Sequence, residues 1–79
     1  MIDEIRAIIH ETFAAELAGL PIDDSLNLFT NGIIDSFALV NLVSTLEQRY
    51  QIRIPDSDAM AANLGSAELV AAYLTKRLA

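Results

Sequence analysis

The chain contains no cysteine, which excludes a disulfide framework, a CxxC redox pair, a cysteine-ligated zinc and a cysteine nucleophile. Basic residues are scarce as well: eleven acids stand against five bases, a formal net charge of −6, and Lys76 is the only lysine. That balance argues against nucleic acid, because phosphate contact needs clustered Lys and Arg. It argues equally against an anionic membrane surface. An acidic surface can steer a protein toward basic partners, and it also serves plain solubility. No GxxxxGK or GxGxxG stretch is present to cradle a phosphate.

Targeting and membrane signals are missing too. The start, MIDEIRAIIHETF, carries acids where a signal peptide needs a basic start and an unbroken apolar run. No apolar stretch approaches the roughly 20 residues of a membrane span. The expectation is a soluble, cytoplasmic chain.

What is there is a small, greasy domain. Hydrophobic residues make up 53% of the 79, far too many for a disordered chain. The length allows a single domain over residues 1–79, with no room for a second core. Such a chain buries only roughly 60% of its extended-state surface, so its stability is expected to be modest.

Periodicity predicts helices throughout. Ile2, Ile5, Ile9, Phe13 and Leu17 recur at helical spacing and predict a helix over residues 2–17, with Ile8 on its flank. Asp3 and Glu4 suit its first turn, and Gly19 and Pro21 end it. A long connection follows, AGLPIDDSLNLFTNGII, with Asp24 or Ser25 as a turn cap. It is too apolar for a solvated linker and is expected to pack over the helices. Leu39, Leu42, Val43, Leu46 and Tyr50 predict a second helix over residues 36–50. Its opposite side, Phe37, Val40, Asn41, Ser44 and Gln48, forms a largely uncharged second face. Ile52-Arg53-Ile54-Pro55 reads as an extended crossing with both isoleucines inward. Asp56 or Ser57 caps a short turn through residues 58–62, broken at Asn63-Leu64-Gly65. Ser66 caps a last helix whose stripe is Leu69, Val70, Tyr73, Leu74 and Leu78. Lys76 and Arg77 suit the negative end of that helix.

Few residues offer chemistry. His10, the only histidine, sits mid-helix beside Glu11 and reads as a surface or flank residue, since a Ser-His-Asp relay would have to recruit it across the fold. Asp56 and Asp58 match half of a calcium loop but lack its glycine and terminal glutamate, so no metal site is assigned. No catalytic residue is assigned either. Asp35-Ser36 has two readings. Asp is among the best N-caps, in which case Ser36 at the first helical position carries no further role. Alternatively, the serine hydroxyl sits at the positive end of a helix, where a phosphate ester would be stabilised by free N–H groups and the dipole.

The run LFTNGIIDSFALVNLVSTLEQRYQIRIPDSD resembles an acyl carrier protein, a family in which an Asp-Ser-Leu style motif opens the second helix. The I-x-I-P segment, the short third helix and the closing N-x-x-S helix follow in the family's order, so the resemblance covers essentially the whole chain. It implies an all-α fold, a small four-helix bundle with three longer helices, one short one and a long first loop. It further implies that Ser36 bears a covalent 4′-phosphopantetheine arm, whose terminal thiol holds an acyl or aminoacyl cargo as a thioester. The implied partners are a phosphopantetheinyl transferase, a loading ligase and downstream transferases or synthases, with the carrier itself non-catalytic and monomeric.

Helix charge departs from the fatty-acid-synthesis pattern. Relatives of that kind place acids on the exposed face where this chain has Ala38 and Asn41, and a leucine where it has Phe37. Asp35, Phe37, Val40 and Asn41 are therefore expected to form a partner-docking patch of more apolar character. This pattern is also similar to freestanding aminoacyl carriers, including D-alanine carriers of cell-envelope modification; peptidyl and polyketide carriers are alternatives. The starting methionine and the length favour a freestanding carrier. Gln51 replaces a glycine common in relatives, so the helix end is expected to be built differently. Leu46, Ile54 and Ala59 are the candidate lining of a cavity beneath the second helix. A reading of another class is an unmodified helical adaptor that binds partners through the same helix.

Overall fold

A computed structural model of the chain describes residues 1–17, 23–29, 32 and 35–78. Among these it is helical without strands: α1 (Ile2–Thr12), α2 (Ala14–Leu17), α3 (Ser36–Tyr50), α4 (Ala61–Leu64) and α5 (Ala67–Leu78). The core gathers Ile5, Ile8 and Ile9 of α1 with Leu42 and Leu46 of α3 and Val70 and Leu74 of α5. Helices α3 and α5 both pack against α1. Two neighbours require a wider apolar stripe than one, which is why Ile8, expected on the flank, is fully buried. The helix expected over residues 2–17 is interrupted at Phe13, where φ −113° and ψ 32° leave the helical region. Hydrogen bonds bridge the break, from the Phe13 N–H to the Ile9 carbonyl and from the Leu17 N–H to the Phe13 carbonyl, each 2.9 Å. Both Phe13 and Leu17 are buried.

The expected stop at Gly19 and Pro21, and the apolar loop residues Leu20, Ile22, Ile33 and Ile34, lie outside the described residues. In the described part of the loop, Leu28 is buried and Leu26 and Phe29 pack against the core, as expected of so apolar a connection. Its turn is capped by Asp23, rather than Asp24 or Ser25: the Asp23 carboxylate accepts from the Ser25 N–H and hydroxyl at 2.9 and 2.7 Å. Those two bonds hold the Asp23 carboxyl below its usual pKa. The loop is then strapped to the far end of the chain. The Leu28 N–H donates to the Gly65 carbonyl at 2.8 Å, the Glu68 N–H to the Asp24 carbonyl at 2.9 Å, and Asn27 Nδ2 to the Ala61 carbonyl at 3.0 Å.

The short helix lies later than expected. Residues 56–58 form a turn, Met60 is extended, and α4 runs over Ala61–Leu64 without a side-chain cap. The expected caps, Asp56 and Ser57, do not serve it: Met60 holds the N-cap position, and the Asp58 carboxylate accepts from the Tyr73 hydroxyl. Leu64, expected as a breaker, is inside the helix and fully buried; its place in the core accounts for the shift. Ser66 caps α5 as expected, its Oγ accepting from the Leu69 N–H at 3.1 Å. Leu78 ends that helix exposed rather than in the stripe.

Candidate functional site

Helix α3 starts where Asp35-Ser36 predicts. Asp35 has extended backbone (φ −104°, ψ −176°), and its Oδ1 accepts from the Ala38 N–H at 3.1 Å, an N-cap bond. Its carbonyl accepts from the Leu39 N–H at 3.2 Å, closing the first turn. Ser36 is therefore the first residue of a helix of 15 residues, and it is exposed. Among the described residues its hydroxyl has no hydrogen-bond partner. His10, on α1, lines neither of the grooves described below.

The face that follows is apolar and open. Phe37 is 82% exposed and Val40 63%, with Asn41 exposed beside them. The helix carries no acid in its first turn. Ala38 differs from expectation: it is buried rather than outward. The reason is register, since Ala38, Leu42 and Leu46 fall at successive steps of four along the core side. The outward uncharged face is thus Phe37, Val40, Asn41, Ser44 and Gln48.

Between this face and the crossing segment runs an open groove of about 660 Å³. Leu39, Val40, Val43 and Glu47 line it from α3, and Ile54 and Ala59 from the opposite wall. Ile54 and Ala59 are where a lining was expected; Leu46 is fully buried in the core and does not reach the groove. Glu47 went unassigned in the sequence. Its Oε2 accepts from the Ile54 N–H at 2.8 Å and so fastens the crossing segment to α3. A second, polar groove lies between α1 and α3, with Thr12, Asn41 and Thr45 on its walls and the Glu11–Arg49 pair across it at 3.6 Å.

The end of α3 keeps the left-handed cap despite the absence of glycine. Gln51 takes φ 57° and ψ 46°, and the N–H groups of Gln51 and Ile52 both reach the Glu47 carbonyl. The expectation of a differently built end is thus corrected: glutamine adopts the conformation, and its Nε2 bonds the Gln48 carbonyl at 2.9 Å. Among the described residues no group of three or more His, Asp or Glu could hold a metal. Nor is any helix among them long and apolar enough to cross a membrane.

The chain is similar to the D-alanyl carrier proteins of Streptococcus sanguinis, Streptococcus gordonii and Streptococcus thermophilus. Each is 36% identical to it over 55 residues, 70% of this chain and 66% of theirs. The matched stretch thus spans just under two thirds of those relatives' length. No solved structure gives a significant match. The sequence model of one family, described as a phosphopantetheine attachment site, matches residues 3–74. With nearly its whole length matched and a helical fold that opens α3 on an exposed serine, the chain belongs to the phosphopantetheine attachment site family.

Proposed function

We propose that the chain is a carrier that holds an aminoacyl group as a thioester on a 4′-phosphopantetheine arm esterified to Ser36. The observation that carries this reading is the exposed Ser36 hydroxyl at the first position of α3, directly after the Asp35 cap. The residues present fit such a group. The hydroxyl is open to an incoming enzyme, and a phosphodiester formed on it would lie at the positive end of a 15-residue helix. Asp35 commits its carboxylate to the Ala38 N–H and thereby fixes where the helix, and with it Ser36, begins. When bound, the arm supplies the terminal thiol on which cargo is carried; the chain has no cysteine to compete for it.

Ser36 acts here as the substrate of a phosphopantetheinyl transferase, not as a nucleophile of the chain's own catalysis. Among the described residues no base lies within a hydrogen bond of its hydroxyl to activate it. Loading and unloading of cargo belong to partner enzymes, a ligase and a downstream transferase. The proposed setting is the cytoplasm, where coenzyme A is at hand as the arm's donor.

Phe37, Val40 and Asn41, next to Ser36 on the outward side, are the proposed docking face. Two large apolar groups exposed on one turn exceed what a solvated helix needs. The lack of acids there supports partners that dock through apolar contact rather than through charge. Similarity to D-alanyl carriers supports D-alanine or another small amino acid as cargo.

Intact mass tests the thioester. The arm-bearing chain is incubated with an aminoacyl-activating ligase, ATP and D-alanine, then with neutral hydroxylamine. One aminoacyl adduct, released by hydroxylamine and absent from Ser36→Ala, is expected. An adduct that survives hydroxylamine, or that forms equally on Ser36→Ala, contradicts the reading.

A further inference from the structure

The groove beside α3 has two unlike walls. One is the helix itself, held by its own backbone ladder. The other is the non-helical run of residues 53–59, in which Ile54 alone is buried. A segment with so little buried apolar surface belongs to the low-stability end of a fold, and its position depends on polar tethers. Glu47 supplies one tether from α3, through the Ile54 N–H. The others converge from the far side. The Tyr73 hydroxyl donates to Asp58 Oδ2 at 2.8 Å, and Arg77 Nη1 donates to the same phenol oxygen at 2.8 Å. Arg77 Nη2 donates to the Arg53 carbonyl at 2.5 Å, while the guanidinium carbon lies 5.8 Å from the Tyr73 ring centre. Asn63 Nδ2 donates to the Asp58 carbonyl at 3.1 Å.

We propose that Tyr73, Arg77 and Asp58 form a latch that positions the outer wall of the groove and so governs how far the groove opens to a group carried on Ser36. The second half of this statement rests on the Ser36 reading; the first does not. Tyr73 and Arg77 lie four residues apart on α5, so both reach the same wall. The phenol donates to a carboxylate while accepting from a guanidinium, a charge-assisted bond at each end. Through Arg77 the wall is gripped at residue 53, and through Tyr73 at residue 58. Burial, and then the bond to Asp58, push the Tyr73 phenol above its ordinary pKa, so it stays a donor. Without the hydroxyl, Arg77 and Asp58 are left 3.9 Å apart and each about a third exposed, a weak pair. All three are positioning residues, since none of them touches Ser36.

Amide hydrogen exchange on the unmodified chain tests the latch. Tyr73→Phe keeps the ring and its packing and removes only the hydroxyl; Arg77→Gln is the second variant. The Asp58, Ala59 and Met60 amides are expected to exchange about tenfold faster in Tyr73→Phe, as for loss of one hydrogen bond to a charged group. The Leu42 and Leu46 amides of α3 should keep their rates. Uniform acceleration across α1, α3 and the wall, or an unchanged wall in both variants, overturns the latch. The same variants are then given the arm and loaded. Arm addition should be unaffected, and spontaneous hydrolysis of the thioester faster. Unchanged hydrolysis beside a faster wall overturns the governing role. Failure of arm addition in the parent chain contradicts the Ser36 reading instead, and leaves the latch decided by exchange alone.

Discussion

The Arg6 guanidinium clamps the Asp24 carboxylate through two parallel hydrogen bonds, Nε to Oδ1 and Nη2 to Oδ2, each 2.7 Å. This bidentate geometry is the strongest form of the pair. It joins α1 to the loop that leads toward Ser36, and the Asp24 carbonyl ties the same residue to α5 through the Glu68 N–H. One residue thus anchors the loop to both ends of the chain.

The clamp has a pH signature. Hydrogen bonding to Arg6 is the main cause that holds the Asp24 carboxyl below its ordinary value, and the Ser25 bonds do the same for Asp23. A carboxyl with a lowered folded pKa contributes stability above its unfolded value of about 3.9, and the contribution is lost as pH falls through the folded value. Thermal unfolding of the parent chain and Asp24→Asn should therefore differ near neutrality and converge as pH falls through the folded value. A gap that stays constant with pH would contradict the clamp.

Gly65 is required by close approach rather than by its backbone angles, which are those of an ordinary right-handed helix. A Cβ there would overlap the Asn27 side-chain amide and the Ala61 carbonyl. Gly65→Ala should displace Asn27 and cost about 1–3 kcal/mol in urea unfolding. In an Asn27→Ala background the cost should shrink, because the obstructing amide is gone. Equal costs in the two backgrounds would show that another contact sets the requirement.

At Gln51 the substitution runs the other way. A side chain in the left-handed region costs roughly 1–2 kcal/mol, and glycine returns part of that as unfolded-state entropy, about 0.4–1 kcal/mol. Gln51→Gly should raise stability by about 0.5–1 kcal/mol in the same assay, the difference between those two terms. A loss of stability would mean that the Gln51 amide bond to the Gln48 carbonyl outweighs the backbone term.

The exposed Phe37 and Val40 predict a kinetic effect without a structural one. Phe37→Ala with Val40→Ala should leave far-ultraviolet circular dichroism unchanged, since neither side chain is in the core. Loading by a partner ligase should slow by roughly tenfold or more, as for truncation of an apolar docking anchor. Unaltered loading would remove this face from the interface.

Helix α3 was legible because its signals are local: an Asp cap and a core stripe that runs to Tyr50. The same holds for the Ser66 cap and for the inward Ile54. The errors came from tertiary packing. Ile8 and Ala38 are buried because neighbouring helices cover them, and periodicity alone underestimates how wide a covered stripe is. The short helix slid past the expected caps Asp56 and Ser57 to Ala61–Leu64, where Leu64 enters the core. Gln51 shows the converse, a local helix-end geometry that overrides residue preference. At the candidate site, the exposed Phe37, Val40 and Asn41 could be read from spacing and Ser36 through the family resemblance, whereas Asp58 is engaged by a helix 15 residues on. The four-residue step from Tyr73 to Arg77 was the one visible hint of the latter.

Whether Ser36 bears the arm is decided by incubating the purified chain with a phosphopantetheinyl transferase and coenzyme A, then measuring intact mass and mapping the modified peptide. One phosphopantetheine per chain, located on Ser36 and absent from a folded Ser36→Ala variant, is the predicted result. No added mass on the parent chain, or addition that persists in Ser36→Ala, would contradict the account.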